Sequence, residues 1–183
     1  MHPLLFPFLS YSFLMIFTPG PSNVSASALG SKLGYRKSIA YMAGMSISFF
    51  LILLVSGLFA DFLKANYSQF STYLKWIGAV YIVWLVISLF IPTHQGQADK
   101  PTGIGLISGF LLVLLNPKGI LFAITTFASF SELVAGSLLK VIGFAFFLAL
   151  LLYASSSTWA LTGSALASLF NNRRFTRSHL KNG

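Results

Sequence analysis

Two short polar elements lie inside long apolar stretches of the sequence, and both are built around proline. Proline has no backbone N–H, but at the first position of a helix that N–H would have no hydrogen-bond partner. Pro21 and Pro117 therefore predict helix starts. These starts are expected to leave open N–H groups at 22–24 and 118–120. Open N–H groups at the positive end of a helix dipole bind a carboxylate, and Lys118 adds a full positive charge. The candidate binding residues are Thr18, Pro19, Gly20, Pro21, Ser22, Asn23, Asn116, Pro117, Lys118 and Gly119.

Several of these residues also have a purely structural interpretation. Asn116 is a favoured N-cap residue. Lys118 could extend to a membrane interface, but its depth within an apolar segment favours a role in the site. Asn23 would either bind a solute or satisfy backbone groups that the break leaves unpaired. The hydroxyl cluster YASSST at 153–158 would either line a polar path or bond back to its own helix.

The rest of the sequence predicts no catalytic or metal centre. The chain contains no cysteine, and its histidines, His2, His94 and His179, lie in terminal or loop sequence. There is no carboxylate pair inside an apolar stretch and no GxxxxGK[ST] phosphate-binding motif. We therefore predict that the protein is not an enzyme and uses no metal or cofactor.

The composition is that of an integral membrane protein. Of the 183 residues, 56% are hydrophobic and 8% are charged, and the mean hydropathy is +0.80. Because about 20 apolar residues cross a bilayer, we predict an all-α protein with five transmembrane helices. Helices one and four carry the proline elements and should be broken, with the breaks facing protein or water. The predicted spans are 1–31, 38–60, 76–93, 101–131 and 141–172.

The distribution of charge predicts the orientation. Basic residues follow spans one, three and five: Lys32, Arg36, Lys37, Lys100, Arg173, Arg174, Arg177 and Lys181. Since basic loops favour the cytoplasmic side, the N-terminus is expected outside and the C-terminus in the cytoplasm. This topology accounts for the net charge of +9, so the predicted partner is the lipid bilayer and not nucleic acid. A homo-oligomer is left open.

An internal repeat is also predicted. The interval from Pro19 to Pro117 nearly equals that from Ile39 to Val141, where the following spans begin. With the halves inserted in opposite senses, this is the 3+3 inverted-repeat plan of secondary transporters, with the binding site where the breaks meet. The second half is expected to lack its third helix, because the sequence at 173–183 is polar and basic. The predicted division is a first three-helix repeat at 1–91, a cytoplasmic loop at 92–103, a two-helix repeat at 104–170 and a basic cytoplasmic tail at 171–183.

Three segments read FTPGPSNVSASALGSKLGYRKSIAYMAGMSISF, WIGAVYIVWLVISL and LLNPKGILFAITTFASF. In order and spacing they resemble the LysE/RhtB family of bacterial amino-acid exporters, and most closely its cysteine/O-acetylserine branch. The resemblance implies export of a small neutral amino acid or related metabolite across the inner membrane, driven by the proton motive force. It assigns the site to Pro19, Gly20, Pro21, Asn23, Asn116, Pro117 and Lys118.

Two features depart from the family pattern. Ser22 stands where many relatives have Asn or Asp, and the family's sixth span is not predicted in this sequence. The alternative hypothesis is therefore a truncated, non-transporting paralogue or a membrane interaction subunit.

Overall fold

The computed structural model describes residues 2–66 and 105–179, together with positions 73, 76, 79, 80, 83 and 87. Those six positions are helical, but the rest of the predicted third span and the loop at 92–103 lie outside the described residues. The helices are α1 (Leu5–Phe17), α2 (Pro21–Leu33), α3 (Tyr35–Leu58), α4 (Ala60–Ala65), α5 (Leu106–Leu114), α6 (Pro117–Phe130), a 3-10 turn (Ser131–Leu133) and α7 (Leu138–His179).

The regular secondary structure in these ranges is helical, as predicted. By length and apolar composition, α3 and the Leu138–Phe170 part of α7 can each cross a membrane. Helices α5 and α6 can form a third span, bent by 61° at its break. Large apolar side chains cover the outer surface, among them Phe6 at 80% and Leu139 at 78% exposure, as lipid contact requires. The five-span count, the repeat plan and the domain boundaries stay predictions.

The first break follows from its two prolines and a glycine. Pro19 disfavours the helical conformation in the residue before it, and Thr18 is extended with ψ 138°. Helix α1 therefore ends at Phe17. Gly20 is extended as well, and α2 begins at Pro21, which confirms the predicted helix start.

The second break is shorter. Helix α5 ends at Leu114, and only Leu115 and Asn116 separate it from α6. Asn116 is extended, with φ −84° and ψ 110°, and Pro117 is the first residue of α6. The proline again occupies the position where its missing N–H costs no helical hydrogen bond.

A single glycine joins α2 to α3. Gly34 has φ +80°, a conformation that favours glycine because it has no Cβ. The turn brings the two helices side by side, and the Tyr41 hydroxyl on α3 donates to Ser25 Oγ on α2 at 3.0 Å.

The two broken helices pack against each other in opposite directions. Phe8, near the start of α1, contacts Phe130 at the end of α6, with ring centroids 5.6 Å apart. Tyr11 stacks on Phe122 at 5.4 Å. At the breaks, the contacts reach 116–118. Later residues of α1 thus contact earlier residues of α6, so the two helices are antiparallel.

Helices α3 and α7, which follow the breaks, are antiparallel as well. Ser157 Oγ lies 3.9 Å from Met42 Sδ in the first half of α3. Near the other end of α3, Gly57 lies against Val141, close to the start of α7. Later residues of α3 thus contact earlier residues of α7.

Glycines bring helix backbones into contact at two crossings, of α2 with α7 and of α3 with α5. A Cβ at any of four glycines would lie only 1.9 to 2.1 Å from a carbonyl oxygen of the facing helix. The pairs are Gly30 with Ala160, Gly163 with Ser27, Gly44 with Leu106, and Gly109 with Tyr41. Small residues permit this approach in lipid, and each crossing joins a helix of the first half to one of the second.

We expect Gly163→Ala to lower the midpoint of thermal unfolding in detergent. The added methyl group would lie 2.1 Å from Ser27 O, and overpacking of this kind costs about 1–3 kcal/mol. Gly143→Ala is the matched control on α7, because a Cβ there meets no atom within 4 Å. Equal losses in the two variants would contradict the assignment of a close crossing to Gly163.

Candidate functional site

The two breaks meet in the structure. Lys118 Nζ, at the start of α6, donates to Thr18 O in the first break at 2.9 Å. The Asn116 side-chain amide donates to Ser22 Oγ at 3.1 Å. Gly20 leaves room for the lysine chain, because a Cβ there would lie 3.0 Å from Lys118 Cδ. These contacts join segments about a hundred residues apart in sequence.

The start of α6 is capped by Asn116. Its side-chain Oδ1 accepts from the N–H of Lys118 at 3.0 Å. Its carbonyl accepts from the N–H groups of Gly119 and Ile120 at 3.1 and 3.3 Å. The prediction that 118–120 present open N–H groups is therefore wrong, because the N-cap asparagine supplies both a side-chain and a main-chain acceptor.

The start of α2 is less completely capped. Its N-cap, Gly20, has no side chain and forms no cap hydrogen bond. The N–H of Val24 donates to Gly20 O at 2.9 Å, so the prediction of an open group at Val24 is also wrong. The N–H groups of Ser22 and Asn23 have no acceptor among the described residues. Of the six open N–H groups predicted for an anion, only those of Ser22 and Asn23 are thus without an acceptor among the described residues.

Asn23 satisfies carbonyl groups that the first break leaves unpaired. It is 2% exposed, and its side-chain amide donates to Ile16 O at 2.8 Å and to Thr18 O at 3.1 Å. Its Oδ1 lies 3.3 Å from Ser155 Oγ of α7, whose one proton can also reach Ile16 O. Of the two interpretations of Asn23, the structure shows the structural one.

Helix α7 supplies two more donors to the end of α1. Ser155 Oγ also lies 3.1 Å from Ile16 O, and Trp159 Nε1 donates to Phe17 O at 3.3 Å. Together with Lys118, these donors surround the negative end of the α1 dipole. The sequence drew attention to the hydroxyl cluster but not to Trp159, whose position shows only in the packed helices.

The hydroxyl cluster on α7 divides between the two interpretations considered for it. Ser155 reaches the break, whereas Thr158 bonds back to the carbonyl of Ala154 at 2.8 Å. Within the described ranges, no group of three His, Cys, Asp or Glu side chains could hold a metal ion.

A cavity of about 40 Å³ lies between the breaks, enough for a few water molecules but not for an amino acid. The polar part of its wall comes from six of the ten candidate residues: Gly20, Ser22, Asn23, Asn116, Lys118 and Gly119. Thr18 adjoins the site through its carbonyl, and the three prolines shape the backbone without lining the cavity. The rest of the wall, which the sequence did not reveal, is apolar: Met15, Ile16, Phe49, Val113, Phe122 and Leu152.

The sequence is similar to known proteins over most of its length. The profile of the family described as LysE type translocator matches residues 13–182. A cysteine/O-acetylserine efflux protein of Salmonella choleraesuis is 31% identical over 92% of this chain and 87% of its own length. Proteins with the same description are 32% identical over 91% of this chain, from Klebsiella pneumoniae (85% of its length) and Escherichia coli O1:K1 (86%). No solved structure gives a significant match.

We expect Asn23→Ala to destabilise the protein by several kcal/mol. The change leaves the carbonyls of Ile16 and Thr18 with fewer donors in a buried region, and each lost buried hydrogen bond costs about 1–3 kcal/mol. The control is Asn66→Ala, whose side chain donates to one carbonyl at an exposed helix end. Thermal unfolding in detergent measures both, and a loss no larger for Asn23→Ala would show that the break does not depend on its side chain.

Proposed function

The chain belongs to the LysE type translocator family, and from this membership and the cavity between its breaks we propose that it exports small neutral amino acids or related metabolites. The cargo would be of the cysteine or O-acetylserine kind, leaving the bacterial cytoplasm. Membership in a family of translocators confirms the predictions of a membrane transporter and of a protein that is not an enzyme. The amino-acid cargo rests on the relatives' descriptions and on the chemistry of the cavity.

One observation supports a carboxylate site most directly: Lys118 and the open N–H groups of Ser22 and Asn23 adjoin the same cavity. Lys118 now donates to the neutral carbonyl of Thr18. A solute carboxylate would be a stronger acceptor, because it adds the attraction between opposite charges to a hydrogen bond that the ammonium group already strengthens. The carboxylate would replace Thr18 O at the ammonium group and accept from the start of α2.

The apolar part of the wall favours a small side chain without charge. Phe49 and Phe122 face the cavity with ring centroids 5.6 Å apart. A charged side chain would lose its hydration against these rings without gaining a partner. Among the residues that line the cavity, Lys118 alone is ionisable, and it is already committed to the carboxylate.

Export requires the cavity to enlarge, since it is too small for an amino acid in this conformation. The antiparallel pairs α1 with α6 and α3 with α7 support the inverted-repeat plan, in which two bodies rock about a central site. We assign these bodies to α2 with α7 and to α3 with α5, because glycines hold each pair in backbone contact. The moving units would then combine helices from both halves of the sequence.

Coupling to the proton motive force and the orientation in the inner membrane, with the N-terminus outside, are part of the proposal. The family resemblance supports the first, and the basic segments at 32–37 and 173–181 support the second.

We expect Lys118→Ala to reduce export at least about tenfold, since a hydrogen bond to a charged group contributes about 1.5–3 kcal/mol. The measurement is resistance of an expressing strain to a toxic amino-acid analogue, normalised to the amount of protein in the membrane. Lys140→Ala removes a charge from the exposed start of α7 and should leave resistance unchanged. Full resistance in Lys118→Ala would remove this residue from the mechanism.

A further inference from the structure

Among the described residues, five buried side-chain hydroxyls have no hydrogen-bond partner: Ser12, Ser46, Ser48, Thr126 and Ser156. Ser12 and Thr126 are the two that lie on α1 and α6, the packed helices on either side of the cavity. Ser12 and Thr126 are both 0% exposed, and neither hydroxyl bonds to a described residue. A helix offers such a group the carbonyl one turn back, and Ser38 uses it, donating to Gly34 O at 3.1 Å. Buried polar groups are normally paired, so these two unpaired hydroxyls point to a partner that is not always present.

The two hydroxyls lie on the same side of the cavity. Ser12 is one helical turn from Ile16 on α1, and Thr126 is one turn from Phe122 on α6. Ile16 and Phe122 both line the cavity. Helices α1 and α6 are antiparallel. Going from Ile16 to Ser12 on α1 and from Phe122 to Thr126 on α6 therefore leads in the same direction, away from the breaks.

Aromatic rings close the route one turn further on. Phe8, a turn beyond Ser12, contacts Phe130, a turn beyond Thr126, with centroids 5.6 Å apart. Phe8 also stacks on Phe144 of α7 at 4.4 Å. The unpaired hydroxyls therefore lie between the cavity and a layer of packed rings.

A polar pocket of about 290 Å³ lies beyond the rings. Ser131, which follows Phe130, lines it, and so do Asp61 and Glu132. It marks the membrane face where α1 begins and α3 ends, which is the outer face in the proposed orientation. The order from the centre toward the proposed outer face is thus the cavity, the two unpaired hydroxyls, the layer of aromatic rings and the outer pocket.

We propose that the hydroxyls of Ser12 and Thr126 form a transient binding site for the solute on the export path, which we call the polar station. As the rings separate, the ammonium and carboxylate groups of a zwitterionic amino acid, with their hydration water, bind these hydroxyls on the way from the cavity to the outer pocket. The inference rests on the proposed function. It adds residues that bind the solute in transit, distinct from the carboxylate site at Lys118.

The test compares the parent chain with the double variant Ser12→Ala and Thr126→Val, which removes both hydroxyls at nearly constant volume. Everted vesicles containing each protein take up radiolabelled cysteine. The double variant should lose about tenfold in maximal rate, since an ordinary hydrogen bond in the transition state contributes about that factor. Its KM should stay within about twofold, because the carboxylate site is intact, and its unfolding temperature should be unchanged or higher.

Two further variants make the outcome decisive. Ser12→Thr with Thr126→Ser keeps both hydroxyls and should keep the rate, whereas Ser38→Ala removes a buried hydroxyl that is already paired and should not lower it. If the parent takes up cysteine and the double variant matches its rate, the polar station is wrong and the proposed function stands. If the parent takes up neither cysteine nor O-acetylserine, both proposals fail.

Discussion

A helix that ends inside a membrane must find donors for its last carbonyl groups, because lipid supplies none. The end of α1, which lies in the first predicted span, meets this constraint with side chains from three other helices. Asn23 of α2, Lys118 of α6, and Ser155 and Trp159 of α7 donate to its carbonyls. The requirement of one broken helix therefore fixes the relative position of four elements, and the cavity lies where those elements converge.

One of these donors, the ammonium group of Lys118, can serve both a structural contact and the proposed binding of the solute. Lys118 holds the two breaks together in this conformation through Thr18 O, and the solute carboxylate we propose would compete for the same ammonium group. Binding would then weaken the contact that holds the two breaks together. A ligand shifts a conformational equilibrium only by its differential affinity for the two states, and this exchange of acceptors supplies such a difference.

The sequence predicted the parts of the fold that depend on local chemistry. Proline at a first helical position located the starts of α2 and α6, and long apolar segments without charge located α3 and α7. Counting free N–H groups from the prolines alone failed at 118–120, because it ignored the carbonyl of Asn116. The role of Trp159 and the apolar wall of the cavity depend on long-range packing, for which a single sequence carries no specific signal.

The crossing of α2 with α7 bears on how the protein is made. Synthesis begins at the N-terminus, so α1 and α2 are made before α7, which carries Ser155, Trp159 and the glycine that receives Ser27 O. Until α7 arrives, the carbonyls at the end of α1 lack two of their donors. In the predicted topology, the broken first span would therefore gain its full set of hydrogen bonds only after a helix made much later has been inserted.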